Sequence, residues 1–305
     1  MAQEPSPIRG RNILTLIFLS PDEERLRAGW RLLLQILIVG VINSILGGII
    51  KILGIPELSG KWGLLFRQIQ EFIRYAASIY IARRWLDRRS FESLGLKVGW
   101  QALFDVLSGI GIVFVQMGFV YGAMSSLGWI TFEGFAWEFD ALDAVLMNTL
   151  LFFVIFLLVG WNEELLSRGY QLQNIASGLN LFWAVIISSA FFGFLHLDNP
   201  NATWVSTVGI FFAGVYQSYA YIRTRQLWLP IGLHIGWNFF EGVMFGFPVS
   251  GLDIYALTRI QVTGPVLWTG GAFGPEAGLI LLPSLIVGSA LIYWFTRNRK
   301  IIGIV

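Results

Sequence analysis

Apolar residues in this chain come in long runs, not in the short rhythms of half-buried strands or surface helices. Runs of about 17 to 23 residues recur at 32–53, 62–81, 102–124, 144–160, 181–197, 203–222, 228–245 and 279–295. Each is close to the length a helix needs to cross a bilayer. The pattern predicts an all-α polytopic membrane protein of about eight transmembrane helices enclosing an intramembrane cavity. The fourth run does not end in a turn: helical spacing carries on to about residue 175, and Gly178 is expected to cap it. Ahead of the first run, Ser20-Pro21-Asp22-Glu23 has the signature of a helix start, with an N-cap serine, proline at N1 and an acid at the capping-box position. A helix is therefore expected from there through Arg25, Arg27 and Arg31 into the first span. The chain divides into a cytoplasmic, interfacial N-terminal segment (1–31), a transmembrane domain (32–296) with its functional core at about 145–245, and a short basic cytoplasmic tail (297–305).

The polar breaks between runs orient the spans. Basic clusters follow span 2 (Arg83, Arg84, Arg88, Arg89), span 6 (Arg223, Arg225) and span 8 (Arg297, Arg299, Lys300), while the loop after span 3 carries Glu133, Glu138, Asp140 and Asp143 without Lys or Arg. The positive-inside rule then places both termini in the cytoplasm of an integral, cell-membrane protein. Within span 2, Arg67, Glu71 and Arg74 share one face and are expected to neutralise one another inside the bundle; lining a cavity is the other reading.

Composition narrows the chemistry. The 305 residues are 55% hydrophobic and 13% charged, against about 25% charged in soluble domains. There is no cysteine, which excludes disulfides, thiol nucleophiles and thiolate metal sites. His196 and His234 are the only histidines. Nothing calls for nucleic acid as a partner; membrane lipids are implied throughout.

Against this background the stretch Trp161 to Tyr170 stands out, because two adjacent acids end an apolar run. Ionisable groups at such depth are costly and signal function. Glu164 and Arg168 are four apart and can pair on one helix face, whereas Glu163 points about 100° away and has no basic residue at i+3 or i+4. Glu163 is thus the acid left for chemistry. If spans 4 and 5 pair about a turn near residue 178, Glu163 and His196 come level, since each lies about 15 to 17 residues from it. Phe192 stands one turn before His196 on the same face. On span 7, His234 and Asn238 again share a face, just after Pro230 and Gly232. A carboxylate can act as general base on water, with His196 helping to orient or deprotonate it, while His234 and Asn238 donate to a developing oxyanion. The competing explanation is that these residues are only polar contacts between helices. Ser167 lies near Glu163 without a Gly-x-Ser-x-Gly elbow. Glu241, near Asn238, could face the cavity mouth. The loop 270–278 is read either as a tight turn that caps span 8 or as a re-entrant cover over the cavity.

Glu163-Glu164-x-x-x-Arg168, Phe192-x-x-x-His196 and His234-x-x-x-Asn238, in that order on separate spans, resemble the three motifs of the CAAX-protease and bacteriocin-processing (Abi) family. These are intramembrane endopeptidases related to the prenyl-protein endoprotease. The resemblance implies that Glu163 and His196 activate water, that His234 and Asn238 form the oxyanion site, and that Glu164, Arg168 and Phe192 support them. It implies a peptide or protein substrate; a prenylated C-terminus, a leader peptide and a membrane-protein fragment are all compatible. A metal-free, glutamate-type mechanism without cofactor is favoured. The metalloprotease alternative would hold zinc on Glu163, His196 and His234, a two-histidine, one-carboxylate set. From a different class come a transporter or channel and a non-catalytic immunity factor. A transporter should show two related halves, and none is seen.

Overall fold

The computed structural model describes residues 13–20, 23 and 25–299. The protein is mostly helical, with α1 (Ile13–Phe18), α2 (Ala28–Ile52), α3 (Gly60–Ile81) and α4 (Trp100–Ser126) in its first half. Then follow β1 (Ile130–Phe135), α5 (Leu142–Glu164), α6 (Gln173–Gly178), α7 (Leu181–Leu195), α8 (Trp204–Thr224), α9 (Trp228–Asn238), β2 (Thr258–Val262), α10 (Val266–Thr269) and α11 (Leu281–Thr296). Helices occupy all eight stretches marked by the apolar runs. Three of them, α2, α4 and the continuous helix Leu142–Gly178, are long and apolar enough to cross a membrane. The exposed surface of α2 is Leu33, Ile36, Leu37, Val41 and Ile45, an apolar face suited to lipid.

The start of α2 differs from the sequence expectation. Arg27 is extended (φ −59°, ψ 151°) and the helix begins at Ala28. The preceding chain folds back, with Leu19 bridging Leu26 and Arg27 N donating to Phe18 O (2.9 Å). Pro21, Asp22 and Glu24 lie outside the described residues, as do 1–12 of the N-terminal segment and 300–305 of the basic tail. Tertiary contacts override the local capping signals here: Arg25 pairs with Glu23 and its Nη1 donates to Asp87 O (3.4 Å). Asp87 is a buried hub. Its carboxylate takes Arg31 and Arg83, each at 2.9 Å, so the start of α2 and the end of α3 are fixed to one point.

The middle of the molecule is α9, buried along nearly its whole length between α4, α5 and α8. Glycines permit this closeness. A Cβ on Gly109 of α4 would lie 2.6 Å from Leu233 N, and one on Gly232 of α9 would collide with Val106 O. Such small residues let helices pack backbone to backbone. Gly178 ends α6 for a similar reason, not as a left-handed cap: a Cβ there would lie 2.6 Å from the Ala28 Cβ.

The two long loops pair with each other. β1 and β2 are antiparallel, with Ile130 opposite Val262 and a bulge between Phe132 and Gly134. Asp140 of the acidic loop finds its partner in Arg259 at the end of the pair (2.8 Å).

Candidate active site

α5 does not break after its two acids. It continues as a π-helix over Leu165–Leu172, and a second π-helical stretch, Phe239–Met244, follows Asn238. Wide turns of this kind re-aim side chains and often sit at functional sites. Asn162 donates to Gln68 O and Oε1 (both 3.1 Å) and ties this part of α5 to α3.

Glu163 and Glu164 diverge as the helix geometry requires. Glu163 lines a cavity of about 600 Å³ together with Phe192, His196, His234 and Asn238. Its Oε2 lies 3.7 Å from Nε2 of both His196 and His234. That is an ionic approach, longer than a direct hydrogen bond. Glu164 turns the other way and is fully buried, with Arg168 Nη1 donating to its Oε1 at 2.9 Å.

Each histidine is held through its other nitrogen. His196 Nδ1 meets Phe192 O at 2.8 Å, a carbonyl that can only accept, so Nδ1 carries the proton and Nε2 presents a lone pair. His234 Nδ1 is 2.8 Å from Glu164 Oε1. Glu164 therefore does more than pair with Arg168: it also orients His234, which the sequence reading did not foresee. Arg168 is a keystone beneath the site. Its Nη2 donates to Gly214 O (3.0 Å), and its guanidinium lies over the Phe192 ring at 4.4 Å. The same ring packs against His196 (4.8 Å) and edge-on to His234 (6.1 Å). Asn238 lines the cavity one turn beyond His234, and its amide makes no hydrogen bond among the described residues.

Three expectations change. Glu71 does pair with Arg74 (3.5 Å), but Arg67 and Glu71 line the cavity instead of closing a network inside the bundle. Glu241 is fully buried and does not reach the cavity. Loop 270–278 contributes one residue, Glu276, to the lining of the cavity. An acid in a Gly/Pro-rich loop just before an apolar span was the signal available for Glu276. Among the described residues, no group of three or more His, Asp and Glu side chains is placed to hold a metal ion.

Residues 145–240 match the family model Rce1-like, the type II CAAX prenyl endopeptidases. This match covers about a third of the chain and contains the three motifs. All seven motif residues fall in the matched segment. The chain is also similar to the putative membrane peptidase YdiL of Bacillus subtilis (strain 168), at 30% identity over 100 residues. That match covers 33% of this chain, and the chain spans 39% of the length of the relative. No solved structure matches. With three helices long and apolar enough to cross a membrane, and its likeness to a membrane peptidase, the chain reads as an integral membrane protein.

Proposed function

We propose that the protein is an intramembrane endopeptidase of glutamate type. The observation that carries this reading is the Glu163 carboxylate, set 3.7 Å from two imidazole Nε2 atoms inside a cavity large enough for a peptide segment. Water binds on the cavity side of Glu163, beside the lone pair of His196. Glu163 takes its proton, and the hydroxide attacks the scissile carbonyl carbon. The oxyanion is met by the free Asn238 amide and by His234 Nε2. Because Nδ1 of His234 faces an acceptor, donation from Nε2 needs a second proton on the ring, and Glu164 balances that charge. When the C–N bond breaks, Glu163 passes its proton to the leaving amine.

The substrate is a peptide or protein presented within the membrane, and a prenylated tail is one candidate. The basic loops support a topology with both termini in the cytoplasm of a cell membrane and about eight spans around the cavity. No second reading from another class gains support. Peptide fragments should differ between membranes holding wild-type protein and membranes holding Glu163→Gln; identical fragment profiles would reject the reading. A chelator should leave the purified enzyme active. Loss of activity that zinc restores would replace the mechanism by a metal-dependent one on the same three residues.

A further inference from the structure

The catalytic cavity has a second acidic end. Glu276 lines it although only 5% of the residue is exposed. Its Oε2 accepts two hydrogen bonds from Ser250, from the backbone N (2.8 Å) and from Oγ (2.6 Å). Among the described residues no side chain or backbone group donates to Oε1, and that atom is not sealed among the buried, unpartnered ones, so it opens into the cavity. The clamp is anchored on both sides. Asn199 Nδ2 donates to Ser250 O (3.1 Å), and Gly251 N donates to Phe273 O (2.8 Å).

Charge makes the arrangement unusual. Glu241 stands behind the same loop, where a Cβ on Gly274 would lie 3.5 Å from its Oε1. Its charged neighbour is Glu276, and among the described residues both of its carboxylate oxygens are buried without a hydrogen-bond partner and no Lys or Arg pairs with it. The imidazoles of His196 and His234 line the same cavity, and among the described residues no Lys or Arg forms a salt bridge or hydrogen bond with Glu276. Arg67 is the one Lys or Arg among the lining residues, and it sits on α3 one turn from Glu71, whose charge it offsets. The Glu71–Arg74 and Glu164–Arg168 acids are thus compensated, and the pair at the loop is not. Two acids without a cation at this depth are costly. A neutral amide would satisfy Oε1 but would not offset the charge.

We infer that Glu276 is a specificity residue: its Oε1 receives the ammonium or guanidinium group of a Lys or Arg side chain near the scissile bond of the peptide substrate. This rests on the endopeptidase reading of the same cavity and narrows its substrate class to segments that carry a basic residue at one position.

The test uses the full chain, purified in detergent, and ten-residue leucine- and alanine-based peptides. One lysine is walked through the peptide, each version beside its norleucine twin. Binding is read by fluorescence anisotropy on Glu163→Gln protein, and cleavage is read on wild type. At one position the lysine peptide should bind about tenfold or more tightly than its twin, as a charge-assisted hydrogen bond provides. Adding Glu276→Gln should bring that ratio close to one. Ser250→Ala keeps the acid but removes one of its two restraints, and should lower the ratio several-fold. A ratio near one at every position overturns the inference. So does a ratio that survives Glu276→Gln in folded protein or, should that variant not fold, one that is unchanged in Ser250→Ala. Lysine-selective binding without cleavage of any peptide would keep the subsite and reject the endopeptidase reading; cleavage without selectivity would do the reverse.

Discussion

Arg168 gives the sharpest test of how the site is held. Its guanidinium is 1% exposed and makes three contacts at once: Glu164 Oε1 at 2.9 Å, Gly214 O at 3.0 Å and the face of Phe192 at 4.4 Å. Arg168→Gln removes the positive charge and leaves Glu164 fully buried with His234 as its remaining partner. Breaking a buried pair from one side costs about 3–5 kcal/mol. That is a large share of the roughly 5–15 kcal/mol by which folded proteins are stable. Thermal unfolding in detergent, together with the fraction of monodisperse protein, should show the loss clearly. Glu164→Gln should also destabilise, because it strands the arginine. The double variant Glu164→Gln with Arg168→Gln should recover part of the loss, with a coupling of about 1–3 kcal/mol. Purely additive losses, or an Arg168→Gln protein that melts with wild type, would refute the keystone role. Arg168→Lys should rescue only partly, since an ammonium cannot serve both acceptors in the plane that also stacks on Phe192.

Asn238→Ala should lower the rate of peptide hydrolysis by about 10²–10³-fold without lowering the melting temperature, as for the loss of one oxyanion donor; a rate within a few-fold of wild type would remove Asn238 from the oxyanion site. Gly232→Ala should destabilise, because its new Cβ would meet the Val106 carbonyl, whereas Gly111→Ala, with open space around it, should be neutral or gain up to about 1 kcal/mol. Equal melting temperatures for the two would undo the close-packing account of α4 and α9. For topology, the absence of native cysteine allows clean labelling of exposed Ser90→Cys and Ser126→Cys. The first should be shielded from an impermeant thiol reagent in intact cells and the second should react, and the reverse pattern would invert the orientation.

The helices were legible because apolar runs of bilayer length are a strong, local signal. The approach of Glu163 to His196 was legible too, because counting residues from the turn near 178 is enough to bring two antiparallel helices level. What could not be read depends on contacts between distant segments. Glu164 meets His234 from 70 residues away, across a π-helical stretch that no spacing rule announces. β1 and β2 lie in two loops that each look irregular alone, and only their pairing turns Thr131 and Gln261 into strand neighbours. At Ser20 the local capping pattern was sound, yet the pull of Asp87 on Arg25 and Arg31 moved the helix start to Ala28. Arg67 and Glu71 were correctly placed on one face, but which face meets the cavity is set by the packing of α3 on α5.

The central claim is that Glu163 is the general base of a peptide hydrolase. Glu163→Gln keeps the size and hydrogen-bonding reach of the side chain and removes its basicity. The direct measurement is the hydrolysis rate of a peptide cleaved by the purified wild-type protein, compared with that of Glu163→Gln protein of equal melting temperature. The rate should fall by about 10²–10⁴-fold or more. Full activity in the well-folded variant would contradict the account.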